Sequence, residues 1–200
     1  MAVGVVNLSN PYDVKYASVN GNYMMYAASL PKIAILLSAM DAIQKGEIKE
    51  TADVKTDMRL MIAKSDNHAA TRMINRLGYQ KHLSHAASVN QVCRYYYLLA
   101  NGKLVNYERS KQMLDIMGNP DLHHKFVAVL EKIAPQAKLF RKSGTWKTYH
   151  SDSILVWGAD TGRRYILVAL IDDPRGGQII KDLVYPVEKV LKITKSKPKS

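Results

Sequence analysis

Ser29, Leu30, Pro31 and Lys32 stand directly before the apolar run Ile33-Ala34-Ile35-Leu36-Leu37. Pro31 fits only the first turn of a helix, so the pattern predicts a helix beginning within a residue or two of Ser29. Positions three apart share a helical face, and the Lys32 amine could therefore reach the Ser29 hydroxyl. Free N–H groups and the positive end of the macrodipole would surround both. A serine so placed could be made nucleophilic. The pair alone is weak: S-x-x-K should occur about once by chance in a chain of this length, and it recurs from Ser196 to Lys199 in a polar tail.

Two further stretches complete an ordered set. Ser65-Asp66-Asn67, all good capping residues, falls between two helical patterns, and Lys142-Ser143-Gly144-Thr145 falls in a β-rich segment. The set resembles the penicillin-recognising serine hydrolases, meaning serine β-lactamases and penicillin-binding D-alanyl-D-alanine peptidases. It is much more specific than any one member. Arg141 to Ser153 is also similar to the matching strands of β-lactamase-related serine hydrolases. The chain resembles most closely those class A relatives that lack the usual omega-loop glutamate.

The resemblance implies Ser29 as the acylated nucleophile and Lys32 as the amine that takes its proton. Lys32 would have to be neutral, which burial and a nearby cation such as Lys142 would promote. Ser65 would relay a proton to the leaving nitrogen. Asn67 would bond Lys32 or a substrate amide, and Asp66 would fix the turn. Lys142 would supply positive charge beneath Ser65, and Ser143 a hydroxyl for a substrate carboxylate. Gly144 would leave space for substrate beside the strand. The oxyanion would sit between the backbone N–H groups of Ser29 and Thr145.

One expected part is missing. Class A β-lactamases activate the deacylating water with a loop glutamate, yet Asn67 through Tyr107 contains neither Asp nor Glu. In the gap from Tyr79 to His85, His82 and His85 are either replacements for that acid or ordinary loop and cap residues. The first two motifs also lie closer together than usual, implying a reduced helical lobe and an open cleft. The expectation is acylation of Ser29 by a β-lactam, a peptidoglycan stem peptide or an ester, with weak or absent β-lactam hydrolysis. A penicillin- or peptidoglycan-binding module without catalysis is the nearest alternative. A glutaminase-like relative and a basic nucleic-acid-binding protein are more distant.

Around these motifs the pattern reads as an α/β chain of the α+β type. A mixed, mainly antiparallel sheet built from both chain ends is flanked by helices. Strands are expected over Ala2–Leu8, about 14–18, Leu139–Thr145, Ser153–Trp157 and Arg164–Ile171. The last two connections carry the turn-like Lys147-Thr148-Tyr149 and Asp160-Thr161-Gly162. Helices are expected over Pro31–Lys45, Val54–Ala63, from His68 to Gly78, and over Ala86–Ala100, Tyr107–Met117, Leu122–Ala134 and Gln178–Ile193, the last kinked or split at Pro186. One domain would span 1–191, with a sheet lobe of about 1–28 and 138–191, a helical lobe of about 29–137, and a basic tail over 192–200.

A net charge of +12 favours acidic partners, but neither a basic recognition helix nor an aromatic–glycine RNA signature accompanies it, so no nucleic-acid partner is expected. The lone Cys93 sits in an apolar run and reads as structural. His123, His124 and His150 lack ligand spacing, so no metal or other cofactor is expected. No apolar run would span a membrane, and no secretory core opens the chain. The charge and the resemblance point to a periplasmic or otherwise extracytoplasmic location. Oligomeric state is not legible.

Overall fold

A computed structural model of the chain describes residues 1–78, 85–158 and 162–193. β7 (Arg164–Asp172) is a continuous apolar run because it is covered on both faces. Ile166, Val168 and Leu170 point into one core, while Tyr165, Leu167, Ala169 and Ile171 point into a second. Around it the sheet runs β2 (Lys15–Val19), β1 (Ala2–Asn7), β7, β6 (Tyr149–Trp157) and β5 (Lys138–Trp146). All four pairings are antiparallel, so the sheet expected to be mixed is uniform.

The front face carries α1 (Lys32–Gln44), α2 (Ala52–Ala63), α3 (Asn67–Arg76), α4 (Val89–Ala100) and α5 (Tyr107–Met117). The back carries α6 (Phe126–Ile133), α7 (Gly176–Asp182) and α8 (Val184–Val190). The helical lobe expected over 29–137 is therefore too long. α6 packs on the back of the sheet with the C-terminal helices, because Phe126, Val127 and Leu130 complete the second core.

Four local expectations change, each for a physical reason. Ala86–Ala87 is a short strand, β4, paired with β3 (Met25–Tyr26), and α4 starts only after the Ser88–Gln91 capping box. The helix expected from Leu122 begins at Phe126. Arg141 draws on the carbonyls of Leu122 and His124, and Lys125 turns to φ 55°. β6 starts at Tyr149, four residues early, and leaves Lys147-Thr148 as a two-residue turn. The C-terminal helix divides at Leu183, which puts Pro186 in the first turn of α8, where its missing N–H costs nothing. His82, most of the Asp160-Thr161-Gly162 turn and the tail lysines Lys195, Lys197 and Lys199 lie outside the described residues.

Candidate active site

Where β5, the start of α1 and the α2–α3 turn converge, a cleft of about 650 Å³ opens. Its lining includes Ser29, Lys32, Asn67, Thr145, His85 and Trp146. Ser29 precedes α1 by a tight turn, with Leu30 N–H donating to Ala27 O at 3.1 Å and Lys32 N–H to Ser29 O at 3.3 Å. Ala28, immediately before, is held at φ 51°, a region that L residues rarely occupy. Among the described residues, neither the hydroxyl nor the backbone N–H of Ser29 has a hydrogen-bond partner.

Lys32 is almost fully buried, although it opens the helix on its cleft side. Its amine donates to Ser65 O at 2.7 Å, Asn67 Oδ1 at 2.6 Å and Asp66 O at 3.4 Å. The expected bond to the Ser29 hydroxyl is absent. Three carbonyl-type acceptors hold the amine against the second motif instead. Burial brings its pKa down to about 8, and Asp66 opposes that shift.

The second motif sits at φ 59° on Ser65 and is locked by Asp66, whose carboxylate caps α3 through Ala69 N–H at 2.6 Å. The Ser65 hydroxyl receives Lys142 Nζ at 2.8 Å, and the same amine donates to Ser143 O at 2.6 Å. Lys142 is fully buried, and burial first, then Lys32 and Arg141, pushes its pKa well below the usual ammonium range. Burial thus pushes both amines toward the neutral form.

The third motif divides across the strand. Gly144 faces the front: a Cβ there would come within 2.5 Å of both Ala27 O and Ser29 N. The glycine is required because backbone meets backbone, rather than to leave room for substrate as expected. Ser143 is buried, registers opposite Asp152 and does not line the cleft. The structure gathers Ser29, Lys32, Ser65, Asn67, Lys142, Gly144 and Thr145 at one place; of these Ser29, Lys32, Asn67 and Thr145 line the cleft, and the buried Ser143 side chain stands apart from the set.

The Thr145 backbone faces the open edge of the sheet. With Lys147-Thr148 as a two-residue loop, Trp146↔Tyr149 and Gly144↔Ser151 are hydrogen-bonded pairs and Thr145↔His150 is not. The Thr145 N–H therefore points away from β6, one residue beyond the place where Gly144 meets the Ser29 turn.

The chain from residue 50 to 185 matches the family described as the β-lactamase enzyme family. The chain belongs to that family. No curated protein sequence matches it significantly. Among solved structures, PBP-A is 19% identical with a TM-score of 0.80, over 97% of this chain and 91% of that one. A variant of PBP-A is described as an acyl-enzyme complex with penicillin G. A β-lactamase from Sphaerobacter thermophilus is 14% identical with a TM-score of 0.81, over 98% and 92%. At these identities the likeness shows a common fold.

In this β-lactamase-family chain two contributors escaped sequence reasoning. Lys125, 2% exposed, sits behind β5 and bonds Gly144 O. Its only signal was its place beside two histidines. Ala28 carries the backbone strain before Ser29, which nothing in its type announces. Trp146 is 57% exposed and flanks the cleft. His85 also lines the cleft, with Nδ1 3.1 Å from Ala28 O. Among the described residues there is no cluster of metal-ligating side chains, and no helix is long and apolar enough to cross a membrane.

Proposed function

We propose that this chain is a serine acyl-transfer hydrolase that forms an ester between Ser29 and the acyl part of a peptide-like amide, ester or β-lactam. The observation that carries the reading is the Ser29 turn. Among the described residues the hydroxyl and N–H of Ser29 are unpartnered, and Ser29 lines the cleft together with a buried amine whose pKa of about 8 leaves a usable neutral fraction near pH 7.

In the acylation step Ser29 Oγ adds to the carbonyl carbon and its proton passes to neutral Lys32. The oxyanion is held by the N–H groups of Ser29 and Thr145. As the C–N bond breaks, the leaving nitrogen takes the Ser65 proton. Lys142, 2.8 Å away, replaces the proton that Ser65 gives up, and it is restored in deacylation by the proton that the attacking water or other acceptor loses. Water or another acceptor then takes the acyl group and Ser29 regains its proton. Tyr26, Trp146, Ile35 and Ile74 give the cleft an apolar wall suited to the acyl side chain.

Deacylation by water is slow in this reading, because the chain from Asn67 through Tyr107 holds no carboxylate to activate it. The same feature favours the second reading, a penicillin- or peptidoglycan-binding module that captures ligand without turnover. We place the protein outside the cytoplasm, where an anionic wall polymer would complement its +12 charge. Cell fractionation tests that placement.

Incubation with penicillin followed by intact mass measurement tests the function. The expected result is a stoichiometric adduct on the parent protein that persists for minutes, with none on Ser29→Ala. Rapid product release without an adduct would overturn slow deacylation. An adduct that survives Ser29→Ala would overturn the nucleophile.

A further inference from the structure

β5 has a second polar face that the acyl-transfer chemistry leaves unused. On it Lys125, 2% exposed, donates to Gly144 O at 2.6 Å, Ser151 O at 2.9 Å and Thr145 Oγ1 at 2.9 Å. The two carbonyls can only accept, so the amine is a donor to both. Lys125 itself is held at φ 55° just ahead of α6, a conformation that aims its side chain at the strand. No carboxylate lies within ion-pair distance of it among the described residues.

The Gly144 carbonyl and the Thr145 N–H belong to one peptide group. In a trans peptide they point in opposite directions. The hairpin register sends the carbonyl toward β6 and Lys125, and the N–H away from β6. A cation at 2.6 Å from the carbonyl draws electron density across the amide and makes the N–H on the other side a stronger donor. The Thr145 hydroxyl adds a second grip on the same residue.

We propose that Lys125 is a positioning residue for the oxyanion hole: from behind the sheet it fixes and polarises the 144–145 peptide so that Thr145 N–H meets the developing negative charge. This rests on the reading of Ser29 as nucleophile. It adds a requirement of its own, since the device works only while Lys125 is charged.

Burial lowers the Lys125 pKa to about 8, with Asp152 opposing and Arg141 adding to the shift. The charged and titratable groups around it are Arg141 and Lys142 from β5, Asp152 and His150 from β6, and His124 beside it. Acylation should therefore rise with pH as Lys32 loses its proton, then fall as Lys125 loses its own. The profile is a narrow bell.

The test has two arms. In unligated protein, the amide ¹⁵N of Thr145 and the carbonyl ¹³C of Gly144 should titrate together with a midpoint near 8, and should not in Lys125→Met. In the second arm, a fluorescent penicillin should acylate Lys125→Met about tenfold or more slowly than the parent at pH 7. Lys125→Arg, which stays charged, should recover most of the rate and lose the falling limb. Thermal unfolding of each variant separates folding from function, and the Arg variant carries the test if the Met variant does not fold. Resonances that ignore pH, or an unaltered bell in Lys125→Arg, would overturn the proposal. A parent protein that neither penicillin nor a fluorophosphonate labels would sink the nucleophile and this proposal together, and is told apart by the failure of the parent rather than of the variant.

Discussion

Two kinds of buried charge share this small protein. Arg141 and Asp152 are 2% and 0% exposed and meet at 2.7 Å, and Arg163 meets Glu188 at 2.8 Å with the Tyr165 hydroxyl alongside. Each charge has an opposite charge in contact. Lys32, Lys125 and Lys142 are buried as well, but their partners are carbonyls, hydroxyls and one side-chain amide. Dipoles offset the loss of water less fully than a carboxylate does. The paired groups hold elements together, while burial drives the amines without a counter-charge toward lower pKa values, at which they can exchange protons.

The sharpest way to break this contrast is to remove one member of each kind. Lys32→Met should lower acylation by about 10²–10⁴-fold, the usual worth of a positioned base, with thermal stability unchanged or raised. Asp152→Asn should do the reverse in kind. It leaves Arg141 buried without a counter-charge and should cost roughly 3–5 kcal/mol in denaturant unfolding. If the lysine variant unfolds and the aspartate variant does not, the distinction is wrong.

Gly144→Ala probes the contact between the two lobes and needs no charge change. Its methyl would meet Ala27 O and Ser29 N at 2.5 Å, so the Ser29 turn must move. About 1–3 kcal/mol of destabilisation and a larger proportional loss of penicillin labelling are expected.

Stability should also follow the amines with pH. Lys32 and Lys125 have folded pKa values of about 8, below the unfolded 10.5, so the unfolded chain binds more protons between these limits. The native state therefore gains stability as pH rises from 8 toward 10. The gain shrinks in Lys32→Met and in Lys125→Met, which urea titration at several pH values measures. The buried tyrosines Tyr95, Tyr96 and Tyr165, all with raised pKa, oppose it only at higher pH. The smallest effect belongs to Trp146→Ala. On an exposed cleft rim it should alter unfolding by no more than about 0.5 kcal/mol and change substrate affinity alone.

Much of this was legible in residue order. The three motifs picked out residues that the fold brings together, and Arg164–Ile171 read as a strand. Tyr149 to Asp152 did not look like a strand, because Tyr-His-Ser-Asp has the polarity of a turn. It is a strand because its polar atoms are answered from within: Ser151 Oγ by Ala27 O at 2.7 Å, Ser151 O by Lys125, Asp152 by Arg141. Lys125 was illegible for the same reason, since its partners are backbone atoms supplied by strands far along the chain. Gly144 was seen, but the atoms that exclude a side chain there belong to a loop more than a hundred residues earlier.

Ala28, directly before Ser29, and Ser65 itself hold left-handed backbone that glycine would adopt at no steric cost. Breeding this protein for heat resistance alone would reward glycine at both positions. Robust descendants of such a screen would keep the scaffold while letting the Ser29 turn relax and losing the hydroxyl at position 65.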